Sequence, residues 1–109
     1  DGTSWTASNS LNTARDQLGS STNGTQSATV AFAGGPSAPT LGNQTEVYDG
    51  TSWSNSANMS TSRKALGGSG TQAAALAFGG FGSTPLPGNE SDATEEFLYG
   101  VETKTLSTT

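Results

Sequence analysis

Apolar positions in this chain come in short bursts, and the clearest of them alternates with period two. In residues 28–33, Ala28, Val30 and Phe32 fall on one face of an extended segment and Thr29, Ala31 and Ala33 on the other. A second burst at 73–78 is apolar on both faces, with Leu76 and Phe78 on one and alanines on the other. That pattern predicts a strand buried on both sides, its alanine face allowing a neighbouring layer to come close. Residues 16–21 and 64–69, rich in glycine, predict a weak strand ahead of each burst. Gly34-Gly35 and Gly79-Gly80 follow the bursts and end them, because glycine accepts backbone angles closed to other residues. Residues 44–48 predict a third strand that turns at Asp49-Gly50 into a fourth over 51–54, an Asp-Gly pair between β-prone runs being a tight-hairpin signal. Loops over 36–43 and 81–93 hold Pro36, Pro39, Pro85 and Pro87, which lack the backbone donor that strand pairing needs.

These elements recur. Asp1-Gly2-Thr3-Ser4-Trp5 returns as Asp49-Gly50-Thr51-Ser52-Trp53, 48 residues later. Leu11-Asn12-Thr13-Ala14-Arg15 is answered by Met59-Ser60-Thr61-Ser62-Arg63, Leu18-Gly19 by Leu66-Gly67, and Gly24-Thr25-Gln26 by Gly70-Thr71-Gln72. Thr45-Glu46-Val47-Tyr48 is matched by Thr94-Glu95-Glu96-Phe97, and the offsets, between 45 and 49, place small insertions in the turns. A self-match at roughly 40 to 50 residues built from short strands is the period of β-propeller blades rather than of helical solenoids. The expected fold is therefore all-β, with two four-stranded blades. Residues 1–6 are an outer strand completing a preceding or neighbouring blade, 7–54 the first blade, and 55–109 the second, whose outer strand over 97–106 has lost its tryptophan and its Asp-Gly turn. Propellers close with about four to eight blades, so two need others. The rest come from a longer chain or from further copies of this one, and copies joined head to tail form a ring or an open filament.

Composition narrows the picture. Hydrophobic residues are only 30% of the 109, while serine and threonine number 33 and glycine 15. Such a profile approaches that of disordered chains, but charged residues are just 12% and the apolar ones cluster, which fits short strands joined by long polar turns. Four basic against nine acidic residues leave no electrostatic footprint for a phosphate backbone, so nucleic acid is not an expected partner. No apolar run approaches the ~20 residues of a membrane-spanning helix, so no membrane insertion is expected. No signal-peptide pattern opens the chain, as for a mature or excised segment. The absence of cysteine excludes a disulfide framework and leaves the compartment open.

Four strands per unit, a Gly-Gly doublet, a tyrosine and then a nearby tryptophan resemble the kelch or galactose-oxidase type of β-propeller repeat. The wording Thr45-Glu46-Val47-Tyr48-Asp49-Gly50-Thr51-Ser52-Trp53, with Met59 to Arg63 following, is similar to Ser/Thr-rich repeats of phage and environmental bacterial surface proteins. The resemblance covers nearly the whole chain and bears on fold more than on activity, since propellers host many unrelated functions. A copper site of the galactose-oxidase type needs histidine ligands and a cysteine-linked tyrosine, and this chain has neither histidine nor cysteine. Nucleophile systems built on Ser/His/Asp or Cys/His are excluded on the same ground. No enzyme activity and no cofactor are expected of this segment.

Trp5 and Trp53 suit sugar stacking by chemistry, but recurrence once per unit points to packing between blades, as it does for Tyr48 and Phe97. Phe81 and Tyr99 fall outside the repeat pattern and are the candidate ligand contacts. Arg15 and Arg63, at matching positions, are expected to tie Glu46, Glu95 or loop carbonyls, a guanidinium being able to hold several acceptors in one turn. Asp92, Glu95 and Glu96, with Asn89 and Glu90 nearby, have the hard oxygens that calcium takes, but their spacing matches no defined loop, and a solvated acidic loop is the expectation. Asn23, Asn43, Asn58 and Asn89 open glycosylation sequons, each in a predicted turn.

The function expected from these readings is non-enzymatic: an extracellular structural and adhesive module of a virion appendage or a secreted surface filament, assembling with further copies. Variable loops on rigid blades would present the contacts to a partner, cell-surface glycan among the possibilities. Two other classes stay open. One is a carbohydrate-binding lectin using Phe81, Tyr99 and the acidic loop, and the other is a blade pair of a larger secreted oxidase-like enzyme.

Overall fold

The computed structural model of the chain describes residues 2–35, 42–82 and 90–99. Seven strands form two antiparallel sheets, and among the described residues there is no helix. The first sheet is a meander of β1 (Gly19–Ser20), β2 (Thr29–Phe32), β3 (Thr45–Tyr48) and β4 (Trp53–Ser56). The second repeats the order with β5 (Gly67–Gly70), β6 (Ala74–Phe78) and β7 (Thr94–Leu98). Register is shared as well: Thr29 lies opposite Tyr48 and Phe32 opposite Thr45, as Ala75 lies opposite Phe97 and Phe78 opposite Thr94.

Turn chemistry explains where the strands stop. Thr25 and Ala28 exchange both backbone hydrogen bonds around Gln26-Ser27, and Thr71 and Ala74 do the same around Gln72-Ala73. At the third turn, Gly50 takes φ +100° and the Asp49 carboxylate accepts the amides of Thr51 and Ser52, both at 2.8 Å. Those bonds draw 51 and 52 into the turn. The fourth strand accordingly begins at Trp53, two residues later than the Asp-Gly signal alone predicts.

The two glycine doublets do not superpose. Gly34 and Gly80 are the equivalent pair: a side chain on either would meet a backbone oxygen, of Asp16 at 2.4 Å and of Lys64 at 2.6 Å. Ala33, at φ 62°, therefore corresponds to Gly79, and Gly35, which bridges Asp16, corresponds to Phe81, which bridges Lys64. Phe81 belongs to the repeat after all. A doublet read as letters is one residue out of step with the doublet read as backbone.

The sheets stack face to face in one direction. Val30, Phe32 and Val47 of the first bury against Ala75 and Ala77 of the second and against Leu66 just ahead of it, with Met59 and Phe97 at the border. Alanine on one side lets the strands approach so closely that a Cβ on Gly68 would lie 2.4 Å from the Ser20 carbonyl oxygen and 2.8 Å from the Phe32 ring. The expectation for 73–78 is corrected here. Its alanine face is buried, but Leu76 and Phe78 on the other face are 39% and 41% exposed, because among the described residues the layer that covers Val30 and Phe32 in the first sheet has no counterpart beyond the second.

Residues 2–6 lie outside any strand, and Trp5 is fully exposed, whereas Trp53 packs 4.9 Å from the Tyr48 ring. The proposed outer strand over 97–106 splits: Phe97 and Leu98 close β7, and 100–109 lie outside the described residues, as do Asn89, the four prolines and most of both predicted loops.

Candidate functional site

Each sheet is tied to the segment that leads into it by a buried arginine. Arg15 donates to the carbonyls of Ala33 and Gln44 at 3.3 and 2.9 Å and to Glu46 Oε2 at 2.7 Å. Arg63 repeats this with the carbonyls of Gly79 and Ala93 at 3.1 and 2.7 Å and Glu95 Oε2 at 2.8 Å. The carboxylates reach back in turn. Glu46 accepts the amides of Asn12 and Thr13, and Glu95 accepts the amide of Ser60 at 2.7 Å and the hydroxyl of Thr61 at 3.2 Å. Desolvation pushes the Glu95 carboxyl upward, but the Ser60 amide and the Arg63 guanidinium outweigh it and hold it below its ordinary value. These groups are spent on shape. With every carboxylate oxygen engaged, neither pair offers a free base or nucleophile.

The surface these brackets hold in place is the outer face of the second sheet. Leu76, Phe78 and Leu98 stand on it, and Glu96, the cross-strand partner of Leu76, lies beside them. The corresponding face of the first sheet, with Val30 and Phe32 at 0% and 2% exposure, is the one the second sheet covers. Phe81 and Tyr99 are each about two-fifths exposed, and Tyr99 stacks on Phe97 with ring centroids 5.9 Å apart.

At the outer rim a cavity of about 200 Å³ opens between the sheets, lined by Phe32, Ala57, Asn58, Met59, Phe97 and Leu98 among others. Its counterpart on the first sheet is filled. There Trp53 lies on Tyr48 and its Nε1 donates to the Asn9 carbonyl at 3.1 Å, while Ser8 bonds the Tyr48 hydroxyl. Ala57 stands 48 residues after Asn9, and Phe97 matches Tyr48, so the cavity has the walls of a tryptophan slot.

A polar contact between the sheets went unrecognised in the sequence. Gln72, at the tip of its turn, donates through Nε2 to the carbonyls of Thr29 and Tyr48 at 3.0 and 2.8 Å. The recurrence of Gly-Thr-Gln was the available signal, and Gln26, the earlier copy, is exposed.

The remaining candidates scatter. β7 sends Glu95 and Glu96 to opposite faces, and among the described residues no group of three or more acidic side chains gathers as a metal site would require. Asn23 and Asn58 are exposed, but Asn43 is half-buried and its amide donates to the Met59 carbonyl at 3.1 Å, a bond that a glycan on that nitrogen would disturb. Asn89 lies outside the described residues. No protein-family model matches the chain, and no curated protein matches it.

Proposed function

We propose that this chain is a non-enzymatic β-propeller module of the kelch or galactose-oxidase type, serving as an extracellular structural and adhesive scaffold on a virion appendage or a secreted filament. The observation that supports it is the one-directional stacking of two sheets that share strand order, register and the arginine–glutamate bracket. Stacking with a fixed sense leaves a new face open after every layer, and closure of the series into a ring buries it. The titratable groups with defined geometry are engaged in holding backbone, which suits a frame that presents loops rather than a reaction site.

The test is a covalent tandem of three copies, giving six sheets in one chain. Electron micrographs are expected to show toroids of uniform diameter, and extended rods or shapeless particles would defeat the propeller reading. A glycan array separates scaffold from lectin. The lectin reading draws on the exposed aromatics Phe81 and Tyr99, and saturable binding abolished by Tyr99→Ala would favour it, whereas silence across the array favours the scaffold.

A further inference from the structure

Resting on that propeller reading, we infer that the chain binds a second copy of itself head to tail, the outer face of one second sheet receiving the first sheet of the next copy. The contact within one chain supplies the template. Its receiving side is Val30, Phe32 and the Thr29 and Tyr48 carbonyls, and at the rim, on the other face of that sheet, Trp53 of β4 lies on the ring of its cross-strand partner Tyr48. Its inserting side is the alanine face of β6 and the amide of Gln72.

Both sides recur on the two open ends of the molecule. The receiving side returns as Leu76, Phe78 and the carbonyls of Ala75 and Phe97, which are cross-strand partners just as Thr29 and Tyr48 are, and at the rim, on the opposite face of the second sheet, lies the cavity walled by Ala57 and Phe97. Of the inserting side, Gln26 recurs exposed at the tip of a turn bonded like that of Gln72, whereas Ala31, the counterpart of Ala77, is already buried in the single chain at 4% exposure. Trp5 completes the match, since it stands 48 residues before Trp53, is fully exposed, and precedes the inserting sheet by the same stretch of chain that separates Trp53 from the second sheet. In the assembly, Trp5 of the next copy fills the cavity, lies against Phe97 and donates from Nε1 to the Ala57 carbonyl. Gln26 of that copy bonds the carbonyls of Ala75 and Phe97.

Two positions depart from the template, and both loosen the contact. Ser20 stands where the inserting side of the template has Gly68, which tolerates no Cβ at its present spacing, and Glu96 stands where the receiving side has Val47. Association between copies is therefore weaker than packing within one, and reversible.

Sedimentation velocity over a range of concentrations tests this on the 109-residue chain. The mass is expected to rise with concentration beyond a dimer, and Trp5→Ala with Gln26→Ala is expected to weaken association about tenfold or more, as loss of an interface anchor does. Because Trp5 is fully exposed and Gln26 exposed, circular dichroism of that variant should be unchanged. A Leu76→Glu variant blocks the opposite side. Mixed together, the two blocked variants retain one good face each and should form a 1:1 dimer that neither forms alone. A chain that stays monomeric at every concentration, association indifferent to Trp5 and Gln26, or a dimer that the Trp5 variant still forms alone through paired outer faces would each overturn the inference. The covalent tandem can still close into toroids in those cases, so failure here is distinguishable from failure of the propeller reading.

Discussion

Arg63 illustrates how much of this fold a single side chain can hold. It is fully buried and bonds two carbonyls and a carboxylate from segments 16 to 32 residues away, while among the described residues its Nε has no acceptor. Arg63→Ala would leave Glu95 and both carbonyls without their donor, and removal of one partner from such a pair is expected to cost about 3 kcal/mol, read as a lower midpoint in urea. Glu95 gives the pH dependence its sign. Its carboxyl sits below the ordinary value in the folded chain, so the folded state binds fewer protons than the unfolded one, and the stability it contributes is present above the unfolded pKa and lost as pH falls through the folded one. The urea midpoint is therefore expected to decline below about pH 5, with a shallower decline in Glu95→Gln. An undiminished slope in that variant would assign the acid sensitivity to other carboxylates.

At the scale of elements, the close approach of β1 and β5 is the feature most sensitive to one atom. Gly68→Ala places a methyl group against the Ser20 backbone and the Phe32 ring, neither of which is the free end of a flexible chain. Overpacking of this kind is expected to cost about 2 kcal/mol, checked by thermal or urea unfolding, with the same change at exposed Ser20 near neutral. The strands themselves were legible in the sequence because a period-two pattern states which residues share a face. Val30 with Phe32 and Leu76 with Phe78 were paired that way, and each pair does lie together. What the pattern does not carry is which face meets which, so 73–78 read as doubly buried although only its alanine side is covered. The glycine doublets misled for a related reason. Positive φ falls on Gly79 and Gly80 at +74° and +86°, as a doublet predicts, but in the first sheet on Ala33 and Gly34 at +62° and +80°, so Gly35 has a different use that letters alone do not reveal.

At the scale of the whole molecule, the described residues form two layers joined at one seam, and the two glutamines allow that seam to be told apart from the contact inferred between copies. Gln72 bonds two carbonyls of the first sheet within one chain, whereas Gln26 is exposed. Gln72→Ala is expected to lower stability by about 1 to 2 kcal/mol at any protein concentration, since two hydrogen bonds across a mostly apolar seam are lost. Gln26→Ala should leave the urea midpoint of the dilute chain unchanged and lower it only where copies associate, because binding to the folded state alone raises apparent stability by mass action. Glu96→Val restores to the outer face the residue type that Val47 provides in the first sheet, and Ser20→Gly restores the spacing that Gly68 provides in the second. Together they should shift self-association to lower concentration in sedimentation runs while leaving the fold of the single chain intact. If the doubled variant associates no better than the parent, the seam between copies is not built on the template of the seam within one.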